Sequence, residues 1–425
     1  MAEFSLSDLN KDLKKINQFG QSLADSDFSR VNEWINTGNF HLNACLSGDI
    51  FKGIPDNRSI AISGESGTGK TFLMLNICRE AQKSGYYIYY YDTEGAVDID
   101  AAVKFGIDPS KFHHEPLSDL GIFRTSITTL TKTLMEAKKK GMKIPKIMVC
   151  LDSLGMLATS KEIDDAMSGS DKADMTRAKS IRSLFRIITS DLTGLHIPFL
   201  FTNHTYASTG MFPTINLSGG GGLVYAASVI INLTKAKLKD DKNDGKIQTG
   251  IICSAKTLKN RFAKPHDIKF HIHFSRGMNP YVGMEEYISW DTCGIEKGQV
   301  VSEKDYLKAS EKEKEKHRKF TDENGKIVYF YPKETARNFV VKHLGKGILP
   351  NELFTKEVFT REILEMINNK CIAPKWTYGE GDDMSSEIDD LIDDERIGSS
   401  AIRDEIEDID IEIENIRMTN SKELD

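Results

Sequence analysis

The strongest constraint on the fold is an octapeptide that joins a strand candidate to a helix candidate. Residues 64–71 read Gly-Glu-Ser-Gly-Thr-Gly-Lys-Thr and match the pattern Gly-x-x-x-x-Gly-Lys-Ser/Thr in full. An apolar run at residues 59–63 precedes them, and a helical period over residues 70–83 follows. Glycines let successive backbone N–H groups converge on phosphate oxygens at a helix amino end, whose dipole favours anions. The sequence therefore predicts a nucleotide-binding phosphate loop made of Gly64, Glu65, Ser66, Gly67, Thr68, Gly69, Lys70 and Thr71.

Three side chains are expected to handle the phosphates and a metal ion. Lys70 should reach the β and γ phosphates, and the Thr71 hydroxyl should occupy a Mg²⁺ position. Asp152 ends the apolar run at residues 147–151. A carboxylate at the tip of a buried strand beside a phosphate loop completes such a Mg²⁺ shell, although a turn-forming or helix-capping role is the alternative. The sequence thus predicts a site for a nucleoside triphosphate with Mg²⁺.

Hydrolysis also needs a group that activates or orients a water molecule beside the γ phosphate. Two carboxylates follow the phosphate loop around the next strand candidate: Asp92 at its tip and Glu94 two residues later. Side chains alternate along a strand, so both would lie on the same side and periodicity does not choose between them. Spacing favours Glu94 as the catalytic residue.

The order of apolar runs and helical periods predicts the fold class. Strand candidates that alternate with helix candidates indicate a doubly wound, mainly parallel α/β sheet. The last three strand candidates have no long helix between them, and residues 240–245 are typical of a hairpin turn, so antiparallel strands should extend the sheet. The strand candidates are residues 59–63, 86–92, 146–152, 197–202, 226–234, 247–255 and 268–274, and the helix candidates are residues 70–83, 118–140 and 175–193.

Charge is distributed unevenly along the 425 residues. Residues 380–425 hold 18 acidic and 4 basic residues, a net charge of −14, so the rest of the chain carries +7. A basic body with an acidic tail indicates a polyanionic partner for which the tail competes. A tail that only improves solubility is the alternative.

Cysteine spacing and hydropathy indicate the cellular compartment in which the protein is expected. The first fifteen residues mix charges without an apolar core, and the longest apolar stretch, residues 223–233, is about half as long as a membrane-spanning helix. The six cysteines are scattered without a Cys-x-x-Cys pair, and Cys78, Cys150 and Cys253 lie within apolar segments. We therefore expect a cytoplasmic protein with reduced core cysteines, and neither a secretory signal, a membrane span nor a structural zinc site.

Two segments inside the predicted sheet region show no periodic pattern, and we expect them to be functional loops. Residues 158–173 are rich in Ser, Asp and Gly, and residues 205–222 end in four consecutive glycines. Both follow strand candidates, at the carboxyl edge where open α/β sheets bind ligands. Long loops within a compact domain are usually functional or disordered.

Several ordered matches show a resemblance to a known family. The phosphate loop, Tyr-Asp-Thr-Glu-Gly at residues 91–95 and Cys-Leu-Asp-Ser-Leu-Gly at residues 150–155 occur in the same order in RecA-type recombinases. Residues 174–187 and 203–206 resemble one branch in particular, UvsX of T-even-like bacteriophages. The resemblance spans residues 42–283. It implies a RecA-like core at residues 56–285, an oligomerisation segment at 1–55, a small C-terminal region at 286–378 and an acidic tail at 379–425.

The resemblance also implies an activity and partners. RecA-type recombinases are ATP-dependent, use Mg²⁺, and form helical filaments on single-stranded DNA. They pair that strand with homologous double-stranded DNA and exchange strands, in recombination, repair and recombination-dependent replication. In an infected bacterial host cell, further copies of the chain, a phage mediator protein and a single-strand-binding protein would be partners, and no membrane would be involved.

Single residues acquire roles from the resemblance. Glu94 corresponds to the family's catalytic glutamate, and His204 lies where the family has a polar residue that senses the γ phosphate; a capped loop histidine is the alternative. Lys256 lies where the family places a lysine that reaches the neighbouring subunit's ATP site, and Arg261 is a second candidate. Ala101 departs from the pattern because relatives carry a tyrosine near the adenine there, so another residue must contact the base.

The two segments without periodic pattern correspond to the family's two DNA-binding loops. The helix candidate at residues 175–193 adds basic side chains among apolar ones, although an ordinary surface helix has the same pattern. Glycine N–H groups can bind phosphates without side-chain charge, and Phe212 could wedge between bases or pack its own loop. The expected DNA contacts are Arg177, Lys179, Arg182, Arg186, Phe212, Gly219, Gly220, Gly221 and Gly222.

Two other functions are compatible with the same core. A ring-forming replicative helicase of the DnaB type would unwind duplex DNA without a homology requirement, and a nucleotide-switched scaffold would bind ATP but barely hydrolyse it. His204 beside the glycine-rich segment argues against the helicase, and Glu94 argues against the scaffold.

Overall fold

The structure is a computed structural model, and it describes residues 5–16, 20–21, 23, 26–28, 30–168, 176–207, 215–217, 226–239, 247–322 and 325–379. The chain divides into two units between residues 377 and 378, and the elements below belong to the first. None of the described helices is both long enough and apolar enough to cross a membrane. All six cysteines are free, and the predicted core positions Cys78, Cys150 and Cys253 are buried as reduced thiols.

Seventeen strands are described, in three sheets. In chain order they are β1 Trp34–Ile35, β2 Ile54–Pro55, β3 Ser59–Gly64, β4 Tyr87–Asp92, β5 Phe112–Pro116, β6 Ile147–Asp152, β7 Phe199–Ala207, β8 Ile215–Leu217, β9 Val229–Lys239, β10 Gln248–Asn260, β11 Asp267–His273, β12 Gly277–Met278, β13 Ile295–Val301, β14 Arg318–Thr321, β15 Ile327–Pro332, β16 Phe339–Val341 and β17 Lys346–Ile348.

The described helices are α1 Leu6–Ile16, α2 Phe40–Ser47, α3 Lys70–Lys83, α4 Ile99–Lys104, α5 Leu120–Lys139, α6 Ser160–Ser168, α7 Arg177–Gly194, α8 Trp290–Cys293, α9 Glu303–Lys308, α10 Glu311–Lys314, α11 Arg361–Ile367 and α12 Ala373–Trp376. The three long helices predicted from periodicity are α3, α5 and α7. Asp119 begins α5 because its carboxylate accepts a hydrogen bond from the Ile122 N–H, at 2.8 Å.

The central sheet confirms the predicted fold class. Its strand order is β12-β11-β10-β9-β3-β7-β6-β4-β5, parallel from β9 to β5 and antiparallel from β9 to β12. Every residue of β3 and β6 is buried, which explains their continuous apolar runs. The edge strand β5 was not predicted, because its sequence Phe-His-His-Glu-Pro has no apolar run and depends on pairing with β4.

Helices cover both faces of this sheet. One hydrophobic cluster joins α2 and α3 to the first face and includes Leu42, Leu73 and Ile77. A second cluster joins α5 and α7 to the other face through Phe123 and Leu184, among others. The phosphate-loop helix α3 is therefore held by a core on the opposite side from α7.

Both segments expected to be loops contain regular structure, which corrects that expectation in part. Helix α6 lies within residues 158–173 and begins with a reciprocal pair of bonds. The Thr159 N–H donates to Glu162 Oε2 at 2.7 Å, and the Glu162 N–H donates to Thr159 Oγ1 at 3.1 Å. This capping box is a local signal that the high Ser, Asp and Gly content concealed. In the other segment, β7 continues to Ala207 and pairs antiparallel with β8, a contact that no local pattern specifies.

Residues after 286 form a separate five-stranded antiparallel sheet in the order β14-β15-β13-β16-β17. Phe320, Val328, Phe330 and Val340 make a small core against Trp290. Other side chains of this region, including Ile295 and Ile367, join the cluster around α2 and α3. The charged residues 302–319 contain α9 and α10, and β14 begins at Arg318.

Candidate nucleotide and DNA site

The phosphate loop connects β3 to α3 and has the conformation that its glycines permit. Gly67 and Gly69 have φ values of 71° and 90°, in the left-handed region that favours glycine. A Cβ on Gly64 would lie 2.5 Å from the Leu233 carbonyl oxygen, so no larger residue fits where β3 ends. The predicted strand–loop–helix context of residues 64–71 is confirmed.

Lys70 lies inside the loop rather than in solvent. Its ammonium donates hydrogen bonds to the carbonyl oxygens of Gly64, at 2.9 Å, and of Glu65, at 2.8 Å. Burial lowers the pKa of Lys70, and the nearby carboxylates of Glu94 and Asp152 oppose that shift. A bound phosphate would offer this buried charge a stronger acceptor than either carbonyl.

Asp152 lies at the tip of β6, and both of its carboxylate oxygens are oriented by neighbouring strands. Tyr90 donates its hydroxyl to Oδ2 at 2.9 Å, and the Thr202 hydroxyl donates to Oδ1. Each oxygen keeps lone-pair capacity, so the Asp152 carboxylate and the Thr71 hydroxyl suit a Mg²⁺ ion bound mainly through substrate phosphates. In the described parts of the chain, no three His, Cys, Asp or Glu side chains form a potential metal site of their own.

Asp92 anchors the loop that follows β4. Its Oδ1 accepts the backbone N–H groups of Glu94, Gly95 and Ala96 at 2.8–3.3 Å, and its Oδ2 accepts Val97 N–H at 3.3 Å. The His114 ring also donates to Oδ2, at 3.0 Å. Burial raises the pKa of Asp92, but the hydrogen bonds from His114 and the amides outweigh burial and lower it. With 2% of its surface exposed, Asp92 is committed to loop structure.

Glu94, unlike Asp92, is partly exposed and accepts hydrogen bonds from side chains instead of from backbone amides. Its side chain is 29% exposed and accepts hydrogen bonds on Oε1 from the Ser153 hydroxyl at 2.6 Å and from His204 Nε2 at 3.0 Å. Partial burial raises the pKa of Glu94, but these two donors and the Lys70 charge outweigh that effect and lower it. An accessible, ionised carboxylate beside Lys70 suits the water-orienting role, so the geometry favours Glu94 over Asp92. The sequence analysis did not identify Ser153, whose only signal was its place next to Asp152.

His204 comes next to the phosphate loop through sheet register. In the parallel pair β3–β7, Gly64 lies opposite His204 and Ser63 lies opposite Asn203. The ring therefore stands beside the first residue of the loop while it contacts Glu94. Lys70, Glu94, Asp152 and His204, which are scattered over 135 positions of the sequence, converge at the carboxyl ends of β3, β4, β6 and β7.

The loss of the Asp92 carboxylate should weaken the fold. Asp92→Asn leaves His114 and Val97 facing an amide nitrogen, so we expect about 1–3 kcal/mol less free energy of unfolding at pH 7. Because the native pKa of Asp92 is lowered, its contribution is present above the unfolded pKa of about 3.9 and is lost as pH falls through the native value. Urea unfolding at stepwise pH should show the gap between wild type and variant closing below about pH 4.

Asp98→Asn is the matched control, because Asp98 caps α4 on the surface and asparagine keeps that hydrogen bond. It should change stability by less than about 0.5 kcal/mol. Equal unfolding of wild type and Asp92→Asn at pH 7 would contradict the anchoring role.

The basic residues of α7 divide into two groups. The Arg177 guanidinium points inward and donates to the carbonyl oxygens of Leu157, at 2.9 Å, and Gly155, so it holds the segment after β6. Lys179, Arg182 and Arg186 are exposed on the opposite side from the buried apolar stripe of the helix. These three, unlike Arg177, are exposed to solvent, so their role as DNA contacts stays a prediction. Phe212, Gly219, Gly220, Gly221 and Gly222 lie outside the described residues.

The structure separates Lys256 from the phosphate loop of its own subunit. Cys253 of β10 faces that loop, and Lys256, three residues later, projects from the other face of the sheet. At the end of the same strand, burial and the neighbouring Arg261 lower the pKa of Lys259 to about 8. Burial and Arg261 also lower the pKa of Arg58, so three cations gather there. The sequence analysis missed Lys259 and Arg58, because only β3–β9–β10 pairing brings them together.

Phe274 is a candidate for contact with the adenine base, which Ala101 cannot stack on. Ala101 lies in α4 and is half-buried. In the turn between β11 and β12, the ring of Phe274 is 59% exposed. The same turn approaches α3, because a Cβ on Gly277 would lie 3.6 Å from the Phe72 ring. The exposed Phe274 ring offers an aromatic surface of the kind that stacks on a purine.

Comparisons with known proteins give one family profile and several similar proteins. The RecA N-terminal domain family profile matches residues 5–279. The recombination and repair protein of Enterobacteria phage T4 is 29% identical over 284 residues, which cover 66% of this chain and 70% of that protein. Protein RecA of Sulfurimonas denitrificans is 28% identical over 270 residues, 62% of this chain and 72% of that protein. Protein RecA of Helicobacter pylori is 28% identical over 262 residues, which cover 60% of this chain and 70% of that protein.

Proposed function

Because the chain belongs to the RecA family of recombinases, we propose that it is a DNA-dependent ATPase that assembles into helical filaments on single-stranded DNA. Such a filament pairs its strand with homologous double-stranded DNA and exchanges strands, in recombination, repair and recombination-dependent replication. Family membership confirms the predicted resemblance and favours the recombinase over the ring helicase. The similarity to the phage T4 recombination and repair protein supports action in an infected bacterial cell. Phage mediator and single-strand-binding proteins are proposed as partners, as the resemblance implies.

One observation carries the proposal: His204 joins the candidate catalytic carboxylate to the strand that leads into the second candidate DNA loop. Its ring donates to Glu94 at 3.0 Å, lies opposite Gly64 in the sheet, and is three residues from the end of β7. A side chain in this position meets the γ phosphate and the DNA-loop strand together. Nucleotide state and DNA contact can then influence each other through a single residue.

The proposed reaction uses the side chains at the strand tips. Lys70 binds the β and γ phosphates, and Glu94 orients a water molecule for attack on the γ phosphorus while Ser153 fixes its carboxylate. Thr71 and Asp152 would hold Mg²⁺, which supplies positive charge to the phosphate oxygens. A bound γ phosphate competes with Glu94 for the His204 ring, so hydrolysis and phosphate release return that ring to Glu94.

We propose that DNA binding depends on positive side chains that are repeated along the protein filament. Lys179, Arg182 and Arg186 of α7 supply exposed cations for backbone phosphates, and such contacts do not depend on sequence. Phe212 and the glycines at 219–222 stay predictions from the sequence, whereas Arg177 already donates to backbone carbonyls. Lys256, with Arg261 and Lys259 near the end of the same strand, is the proposed contribution to the ATP site of the neighbouring subunit.

The test measures ATP hydrolysis with and without single-stranded DNA, and the pairing of that DNA with homologous and unrelated duplex. ATP hydrolysis should rise by about tenfold or more when single-stranded DNA is added, and joint molecules should form with homologous but not with unrelated duplex. Negative-stain microscopy with single-stranded DNA and a slowly hydrolysed ATP analogue should show filaments. Turnover that ignores DNA would refute the ATPase mechanism, and duplex unwinding without homology would favour the helicase.

Removal of residues 380–425 should tighten binding to single-stranded DNA by about threefold to tenfold at low salt, and by less as salt rises. The net charge of −14 in this tail competes with DNA phosphates for the basic body of the protein. A tail of equal length with its acids replaced by Asn and Gln should behave like the deletion, because charge is the cause. Unaltered affinity in both variants would leave the tail as a solubility or docking element.

A further inference from the structure

A second lysine contacts the phosphate loop from β9, the strand that lies next to β3. The Lys235 ammonium, on β9, donates a hydrogen bond to the Ser66 carbonyl oxygen at 3.0 Å. It lies over the neighbouring glycine, because a Cβ built on Gly67 would come within 2.6 Å of Lys235 Nζ. Register explains this position: Gly64 lies opposite Leu233, and Lys235 is two residues further along the same face of β9.

Lys235 and Lys70 flank the loop as like charges. The charge of Lys235 adds to burial in lowering the pKa of Lys70. Two ammonium groups held beside one loop repel each other. A polyphosphate bound at the loop would attract both groups and so offset their mutual repulsion. The backbone hydrogen bond to Ser66 keeps Lys235 at the loop in the protein without ligand.

The contact belongs to a platform that supports the loop from β9, β10 and β11. The Cys253 thiol of β10 donates to the Thr68 carbonyl oxygen at 3.4 Å. A Cβ on Gly69 would lie 2.9 Å from Ile272 Cδ1 of β11 and 3.2 Å from Ile251 Cδ1 of β10. Among these platform contacts Lys235 is the charged one, so it is the member suited to act on an anion as well as on the loop.

We propose that Lys235 is a second lysine of the nucleoside triphosphate site, which positions the phosphate loop through Ser66 and adds positive charge to triphosphate binding. The inference rests on the proposed function, since it takes ATP as the ligand of the loop. Lys235 acts mainly in binding: its loss should raise the KM for ATP and leave kcat within about twofold, because Glu94 and Lys70 remain in place.

The test is a titration of wild type, Lys235→Met, Lys235→Arg and Lys237→Met with a slowly hydrolysed ATP analogue at two salt concentrations. Lys235→Met keeps the length of the side chain without its charge and should weaken binding by about tenfold. Lys235→Arg should recover most of that loss. Lys237→Met, an exposed lysine two residues further along β9, should bind within about twofold of wild type.

The outcomes separate this inference from the proposed function. Wild type that does not bind the analogue would refute the ATPase assignment itself. Wild type that binds, with Lys235→Met binding equally well and with the same salt dependence, would overturn only the role of Lys235. A fall in kcat with unchanged KM in an ATPase assay would also overturn it, because that result would mean that Lys235 acts in the transition state and not in ATP binding. Urea unfolding of each variant verifies that the compared proteins are folded.

Discussion

Lys70→Ala is expected to bind ATP about 100-fold more weakly or worse and to lose ATP-dependent filaments on single-stranded DNA. The Lys70 ammonium is buried within the phosphate loop, where it now donates to two backbone carbonyls. Alanine removes the charge that the β and γ phosphates would meet, together with the hydrogen bonds to the Gly64 and Glu65 carbonyls. Titration with ATP and negative-stain microscopy with a slowly hydrolysed analogue measure the two effects.

Lys83→Ala provides the matched control on the same helix. Lys83 lies in the last turn of α3, is exposed, and pairs with Glu80 on the surface. Its removal should cost less than about 1 kcal/mol of stability and leave ATP binding and filaments unchanged. Normal filaments in Lys70→Ala would overturn the assignment of residues 64–71 as the triphosphate site.

Glu94→Gln is expected to keep ATP binding and to reduce turnover by about 100-fold to 10,000-fold. Glutamine preserves the size of the side chain and can still accept from Ser153 or His204 through its amide oxygen, but it cannot act as a base. The ATP-bound filament should therefore persist instead of being released by hydrolysis. A turnover assay with single-stranded DNA, followed by microscopy at late times in ATP, tests both parts.

The comparison with Asp92→Asn makes this experiment specific. The two carboxylates are two residues apart, yet Asp92 is committed to backbone amides and His114, whereas Glu94 contacts Ser153 and His204. Glu94→Gln should lower the urea midpoint by less than Asp92→Asn does, because the Glu94 side chain is 29% exposed and the glutamine oxygen can still accept hydrogen bonds. Unchanged turnover in Glu94→Gln would remove Glu94 from the catalytic role, and a large loss of stability in that variant would show that the two roles are not separate.

The proposed coupling between nucleotide and DNA depends on His204, whose position follows from sheet topology. His204 is 140 residues from the start of the phosphate loop, but parallel pairing of β3 with β7 places it opposite Gly64. The same strand continues into the second candidate DNA loop. Because His204 lies on the strand that ends at Ala207, the proposal predicts that a change in what the ring contacts alters the end of β7.

The sequence by itself determined the phosphate loop, the bounds of α3, the buried strands β3 and β6, and the position of Asp152 at a strand tip. These features depend on neighbours in the chain: a motif, an apolar run or a helical period. The capping box that begins α6 was equally local, and it was overlooked because composition outweighed it. The family resemblance rested on ordered motifs of the same local kind.

Only the tertiary structure showed that Asp92 and Glu94 differ in their partners, which supports the choice that spacing alone favoured. It also turned Arg177 inward and brought Lys235 to the phosphate loop. The edge strand β5 and the β7–β8 pair likewise depend on hydrogen bonds to distant segments. Side-chain roles of this kind depend on which strand lies beside which, and that is settled by non-local pairing and packing that no short window of sequence contains.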